Sequence, residues 1–174
     1  MAVREILLLG NPKLYSSCEA VQKGDPELPS IITDLHDTMM AFRKKWSVGR
    51  AIAAPQIGVM KRLVYLHINE PVVFINPHFE KKSDALIEVW DDCMSFPELL
   101  IKVNRHVACD LVYYDLNWRE QRLRLNGDWS ELLQHEVDHL DGVLAVSLAV
   151  DSRSFVLRSQ QRFTSYHRSG FGEG

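Results

Sequence analysis

The stretch from Asn126 to Gly142 constrains this chain more than any other. Leu132, Leu133, Val137 and Leu140 recur at helical spacing, Asp128 with Glu131 three residues on has the form of a capping box, and Gly142 suits a helix end. The pattern predicts a helix over about residues 128–141. On it His135 and His139, four positions apart, share one face and can direct both imidazoles at one ion, with Glu136 beside them. A carboxylate so placed can take a proton from a water held by the ion and return it to a leaving group, which is the chemistry of metal-assisted hydrolysis. A capped amphipathic helix is the setting that His-Glu-x-x-His needs.

Two imidazoles leave an open catalytic site one protein ligand short. Downstream stand only His167 and Glu173, in a terminal stretch expected to fray from about residue 168. Upstream, Cys93 follows a predicted strand and two carboxylates, in Val89-Trp90-Asp91-Asp92-Cys93-Met94-Ser95-Phe96-Pro97. Taken alone, it reads equally well as a ligand or as a packed thiol. Cys18 and Cys109 read as structural, the latter on a strand face. Three cysteines without a C-x-x-C pair imply no disulfide framework and fit a reducing compartment.

The rest of the chain narrows the setting. A net charge of -3 with no basic stripe argues against nucleic acid and anionic membranes as partners. No apolar stretch is long enough to span a bilayer. The apolar run Ile6 to Leu9 is too short for a signal core and reads as a strand. The expectation is a cytoplasmic protein, or an organellar one if the chain is a processed form. Residues 1–174 read as one domain, long enough to bury roughly two thirds of its unfolded surface, so a metal need not hold the fold together and can be catalytic.

Ile31, Ile32, Leu35, Met39 and Phe42 predict a helix ending before Ser47-Val48-Gly49. Gly49 to Gly58, small residues interrupted by Pro55, suits a close-packed loop or an edge strand. Short β-branched or aromatic runs predict strands at Arg62 to His67, Val72 to Ile75, Leu86 to Trp90, Leu99 to Val103, His106 to Leu116 and Arg119 to Leu125, with a hairpin turn at Asn117-Trp118. Arg153 to His167 reads as a further short helix. Sheet dominates residues 60 to 125, and the class is α+β.

Three ordered motifs then show a resemblance. Gly49-Arg50-Ala51-Ile52-Ala53-Ala54-Pro55-Gln56, Asp91-Asp92-Cys93-Met94-Ser95 and Gln134-His135-Glu136-Val137-Asp138-His139 resemble the G-x-G-[LI]-A-A-x-Q, E-G-C-x-S and Q-H-E-x-D-H motifs of the peptide deformylases, in order and rough spacing. The segment Ile6-Leu7-Leu8-Leu9-Gly10-Asn11-Pro12-Lys13-Leu14 also looks like that family's opening, so the likeness covers roughly residues 4 to 150. It implies antiparallel and mixed sheets around a central metal-binding helix. It further implies Cys93, His135 and His139 as ligands, Glu136 as general acid/base, and Gln56 with the Met94 backbone N–H as oxyanion donors. The implied ion is Fe(II), with Zn, Ni or Co able to occupy the same donors. The implied substrate is an N-formyl peptide or small N-formylated compound. It would lie along Gly49, Arg50 and Ala51 as an added strand, near Asp91 and Asp92.

The chain departs from that pattern. Asp91-Asp92 stands for Glu-Gly, Ala51 for the second Gly of the first motif, and Arg50 for an aliphatic residue. Asp92 puts a carboxylate beside the ligand cysteine, where it can raise the pKa of a water on the ion or block the cleft if it points inward. Asp128, Glu131 and Leu132 occupy positions that line a methionine pocket in the family, and two of the three are acidic. Asp128 and Glu131 can be read as helix-terminal carboxylates only, or as a polar pocket favouring polar or charged formyl substrates over formyl-methionyl ones. A metal-binding pseudoenzyme of the same fold and a metallopeptidase are the competing readings.

Overall fold

Strand β2 (Leu63–His67) is apolar or aromatic at every position but its last because it is covered on both faces. Leu63 and Tyr65 pack toward a long helix, α1 (Leu28–Trp46), whereas Val64 and Leu66 pack toward a shorter one, α2 (Gly127–Leu140). The same alternation sends Ile52 of β1 (Ala51–Ala53) to the α1 side and its two alanines to the α2 side. The computed structural model describes residues 3–164. Within them a five-stranded sheet has the order β1, β2, β3 (Pro71–Lys82), β6 (Ala108–Tyr114), β7 (Glu120–Asn126), and a three-stranded sheet the order β4 (Leu86–Asp92), β5 (Leu99–His106), β8 (Phe155–Leu157). All ladders between neighbouring strands are antiparallel, and parallel pairing is confined to the isolated Glu19–Lys61 bridge. The predicted α+β class holds.

Helix α2 is tied to neighbouring segments along its length. Near its start, the Gln134 amide donates to the His106 carbonyl and accepts from the His106 N–H, and Ser130 Oγ donates to the same carbonyl. At its end, Cys18 N–H donates to Leu140 O, and Arg62 pairs with Asp141 where the helix dipole leaves negative charge. Gly142 then turns the chain at φ +72°, so close to the Tyr15 and Ser16 backbone that a Cβ would lie 2.7 Å from Tyr15 O. Only glycine fits there.

Three local expectations are corrected. Residues 6–9 form no strand: Leu7 N–H donates to Gln56 O and Leu9 N–H to Ser95 O, two isolated bonds that tie the segment to irregular loops rather than to a ladder. Asp128 is not the N-cap of α2. Strand β7 runs directly into the helix, Gly127 N–H bonds Val107 O, and the cap falls on Asn126, leaving Asp128 in the first turn where it meets the dipole without a capping bond. Residues 155–163 form strand β8 and a 3-10 helix instead of an α-helix, because Leu99, Leu100 and Ile101 offer an open strand edge for pairing. The end of that predicted helix, 165–167, and the predicted frayed end from about 168 lie outside the described residues. The Asn117-Trp118 turn is present, organised by the Asp115 carboxylate accepting from the N–H groups of Asn117 and Arg119.

Candidate active site and metal centre

A cleft of about 480 Å³ opens between β4, the 47–51 loop and α2. Gly49, Arg50, Ala51, Gln56, Asp91, Asp92, Cys93, Met94, Asp128, Glu131, Leu132, His135 and Glu136 all border it, so residues far apart in sequence meet at one place. His139 lies behind His135, 1% exposed. The first motif is positioned by helix α1: Arg43 donates to the Gly49 and His67 carbonyls and holds the loop against β2. Gly49 itself sits at φ +120°, with Met94 Cε 3.2 Å from where a Cβ would be.

Gln56 lies on a one-turn 3-10 helix, Ala54–Ile57. Its carbonyl accepts from Ala53 N–H at 2.9 Å, which fixes the amide so that Nε2 lies 3.2 Å from Ser95 Oγ and 3.5 Å from Cys93 Sγ. Cys93 Sγ is 3.2 Å from His139 Nε2, and that nitrogen is 3.1 Å from His135 Nε2. A tetrahedral ion with bonds of about 2.05 Å to nitrogen and about 2.3 Å to sulfur sets roughly 3.3 Å between nitrogens and roughly 3.6 Å between nitrogen and sulfur. The thiol and two imidazoles already converge to nearly those separations, so this donor set fits a divalent ion.

A buried guanidinium stands behind the cluster. Arg105, 3% exposed, bridges Asp91 and Asp138, and Asp91 Oδ1 lies 3.0 Å from His135 Nδ1. Burial would raise the Asp91 pKa, but His135 and Arg105 together hold it well below the carboxylate range. Burial likewise opposes charge on His135, yet Asp91 and then Cys93 keep its pKa well above the ordinary value; burial and then His135 push that of His139 well below. Glu136 is raised to about 7, by burial first, with His135 acting to lower it and Asp91 to raise it. That is a value suited to proton exchange near neutrality. Cys18 is pushed up to about 11 by burial and stays a thiol in the core.

The family model for polypeptide deformylases matches residues 3–154. The chain belongs to that family. It is 32% identical over 173 residues to a peptide deformylase of Picosynechococcus sp., covering 91% of this chain and 90% of the relative. To one of Pseudothermotoga lettingae it is 35% identical over 158 residues, with the same shares covered. Among solved structures it resembles the peptide deformylase of Thermotoga maritima, with a TM-score of 0.80 at 28% identity over 87% of this chain and 100% of that one. It also resembles the one from Synechococcus elongatus in complex with actinonin, with a TM-score of 0.78 at 30% identity over 87% of each chain. Deformylases are metal-dependent hydrolases that remove N-formyl groups from nascent peptides, and this chain carries a buried Cys/His/His cluster.

Against the deformylase pattern, the departures have structural answers. The Asp92 carboxylate pairs with Arg158 at 2.8 Å, a residue delivered by the chain after β8 and also bonded to the Pro97 carbonyl. Ala51 is buried in the core between β1 and α2. Arg43, Arg105 and Arg158 did not emerge from the motifs. Arg105 left a signal: with Ile101 and Val103 it occupies the inward positions of β5, where a cation calls for buried partners.

Proposed function

We propose that this chain hydrolyses the formamide bond of an N-formyl peptide or small N-formylated substrate, releasing formate. The observation that carries the reading is the convergence of Gln56 Nε2, Cys93 Sγ and the two imidazoles at one end of the cleft, with Glu136 beside them. Cys93, His135 and His139 would hold a divalent ion. The family resemblance favours Fe(II), and Zn, Ni or Co suit the same donors. When bound, the ion lowers the pKa of a coordinated water toward neutrality.

The protein's own groups do the rest. Glu136 takes the proton of the attacking water and passes it to the leaving amine. Gln56 Nε2 and the Met94 N–H donate to the formyl oxygen as it gains charge, the former already locked by Ala53. Asp91 fixes the tautomer of His135 through Nδ1, and Arg105 holds Asp91. The backbone at Gly49, Arg50 and Ala51 pairs with the substrate chain, and Asp128, Glu131 and Arg50 favour a polar side chain over a thioether. Asp92, paired with Arg158, frames the rim. A reducing compartment such as the cytoplasm suits three free cysteines, one of them a ligand.

The test is formate release by protein purified without oxygen and loaded with Fe(II) or Zn(II), across a panel of formylated peptides and amino acids. Formate is expected, together with loss of metal retention in Cys93→Ser, because a hydroxyl poorly replaces a thiolate. Peptide-bond cleavage without formate, or no turnover of any member by fully loaded protein, would sink the reading. Unchanged metal affinity in Cys93→Ser would remove the cysteine from the ligand set.

A further inference from the structure

Helix α2 presents Asp128, Glu131, Leu132 and His135 to the cleft, spaced so that they form one stripe from the first turn of the helix to the imidazole cluster. Burial deepens along it: Asp128 is exposed, Glu131 half-buried and His135 buried. At its inner end Glu136 Oε2, on a residue 4% exposed, borders the same cleft without a hydrogen-bond partner among the described residues. Glu131 and Glu136 line the same cleft, so a substrate whose reacting group reaches Glu136 occupies a cleft that Glu131 also borders.

The charges around this path do not cancel. Arg43 is committed to two carbonyls, Arg158 pairs with Asp92, Asp91 with Arg105, and Glu88 with Lys102. Arg50 offsets part of the charge of Glu131, while Asp128 adds a second carboxylate on the same stripe. We propose that Glu131 selects N-formylated substrates whose side chain beside the formyl group ends in an ammonium or guanidinium. The proposal rests on the hydrolytic reading of the site and names its substrate class. Burial first, then Asp91, pushes the Glu131 carboxyl up to about 7, so a bound cation would favour its ionised form, whereas a thioether would only desolvate it further.

The probes are N-formyl-ornithyl and N-formyl-norleucyl tripeptides of otherwise identical sequence, whose side chains differ only in an ammonium against a methyl group. Their kcat/KM values are measured with metal-loaded wild-type protein, and their dissociation constants with the Glu136→Ala protein by calorimetry. The ornithyl peptide is expected to be preferred by at least about tenfold in both. Glu131→Gln, which keeps the side-chain size and removes the charge, should bring the ratio close to one, the ornithyl peptide binding more weakly and the norleucyl peptide no more weakly than to wild type. Equal or better binding of the norleucyl peptide to protein carrying Glu131 would overturn the proposal, as would an ornithyl preference that survives in Glu131→Gln. A binding preference abolished by Glu131→Gln, with no formate released from either peptide, supports this selectivity and removes the hydrolytic reading instead.

Discussion

Replacing Glu136 with alanine is expected to lower formate release by about 10²–10⁴-fold, the usual contribution of a positioned general acid–base group, while metal content stays at the wild-type level. The side chain lies between His135 and His139 in sequence but supplies no donor to the cluster of Cys93, His135 and His139. Metal analysis and single-turnover formate release, measured on the same preparation, separate the two effects. The fold should not suffer. In the metal-free protein the Glu136 carboxyl titrates at about 7, raised from 4.5 chiefly by burial, so its ionised form is the one the fold disfavours. The native state then holds more protons than the unfolded state between those values, and this group makes stability fall as pH rises through that window. Metal-free Glu136→Ala should accordingly melt no lower than metal-free wild type at pH 7. Retention of wild-type activity by the variant would refute the assigned role. Loss of bound metal would instead move Glu136 into the ligand set.

How much of this was legible in the sequence follows from the range of the interactions. His135 and His139 lie four positions apart, so spacing alone gives their common face with Glu136 beside it, and the apolar residues at 132, 133, 137 and 140 place the helix against a sheet. Strands β2, β3, β6 and β7 announced themselves through period and composition, whereas β1 lies in a small-residue run that read equally as a loop or an edge strand, and β3 extends to Lys82, well past the apolar run that marks it, because the exposed end of the strand carries charged residues. The capping box failed because a strand ends where the helix begins, and Asn126 serves both. The ion-pair relay from Asp138 through Arg105 and Asp91 to His135 joins two strands and a helix across long separations in sequence, and no local pattern reports such a pairing. The same holds for Asp92. Its neighbourhood in the second motif suggested a carboxylate that could intrude on the ion, and only the return of the chain after β8 reveals that Arg158 receives it.

Arg105→Met is expected to destabilise the fold by about 3–5 kcal/mol, because it removes the guanidinium that pairs with Asp91 and leaves a carboxylate buried beside an apolar side chain. At roughly 2–4 °C per kcal/mol for a chain of this size, the melting temperature should fall by roughly 6–20 °C. The pH dependence gives a second signature. Asp91 has a folded pKa held below 3.8, so its contribution to stability is fully present above that value and is lost as the pH falls through and below it. Without Arg105 the folded pKa moves back up, and the metal-free variant should lose less stability than wild type on acidification from pH 5 to pH 3. Adding Asp91→Leu to Arg105→Met should recover much of the melting temperature, since an apolar pair of similar volume no longer strands a charge. It should not recover tight metal binding, because His135 Nδ1 then has no carboxylate 3.0 Å away to orient its ring. Stability rescued together with metal affinity would show that Asp91 is there for folding alone. Stability rescued without it would show that the Arg105–Asp91 pair serves the site as well as the fold.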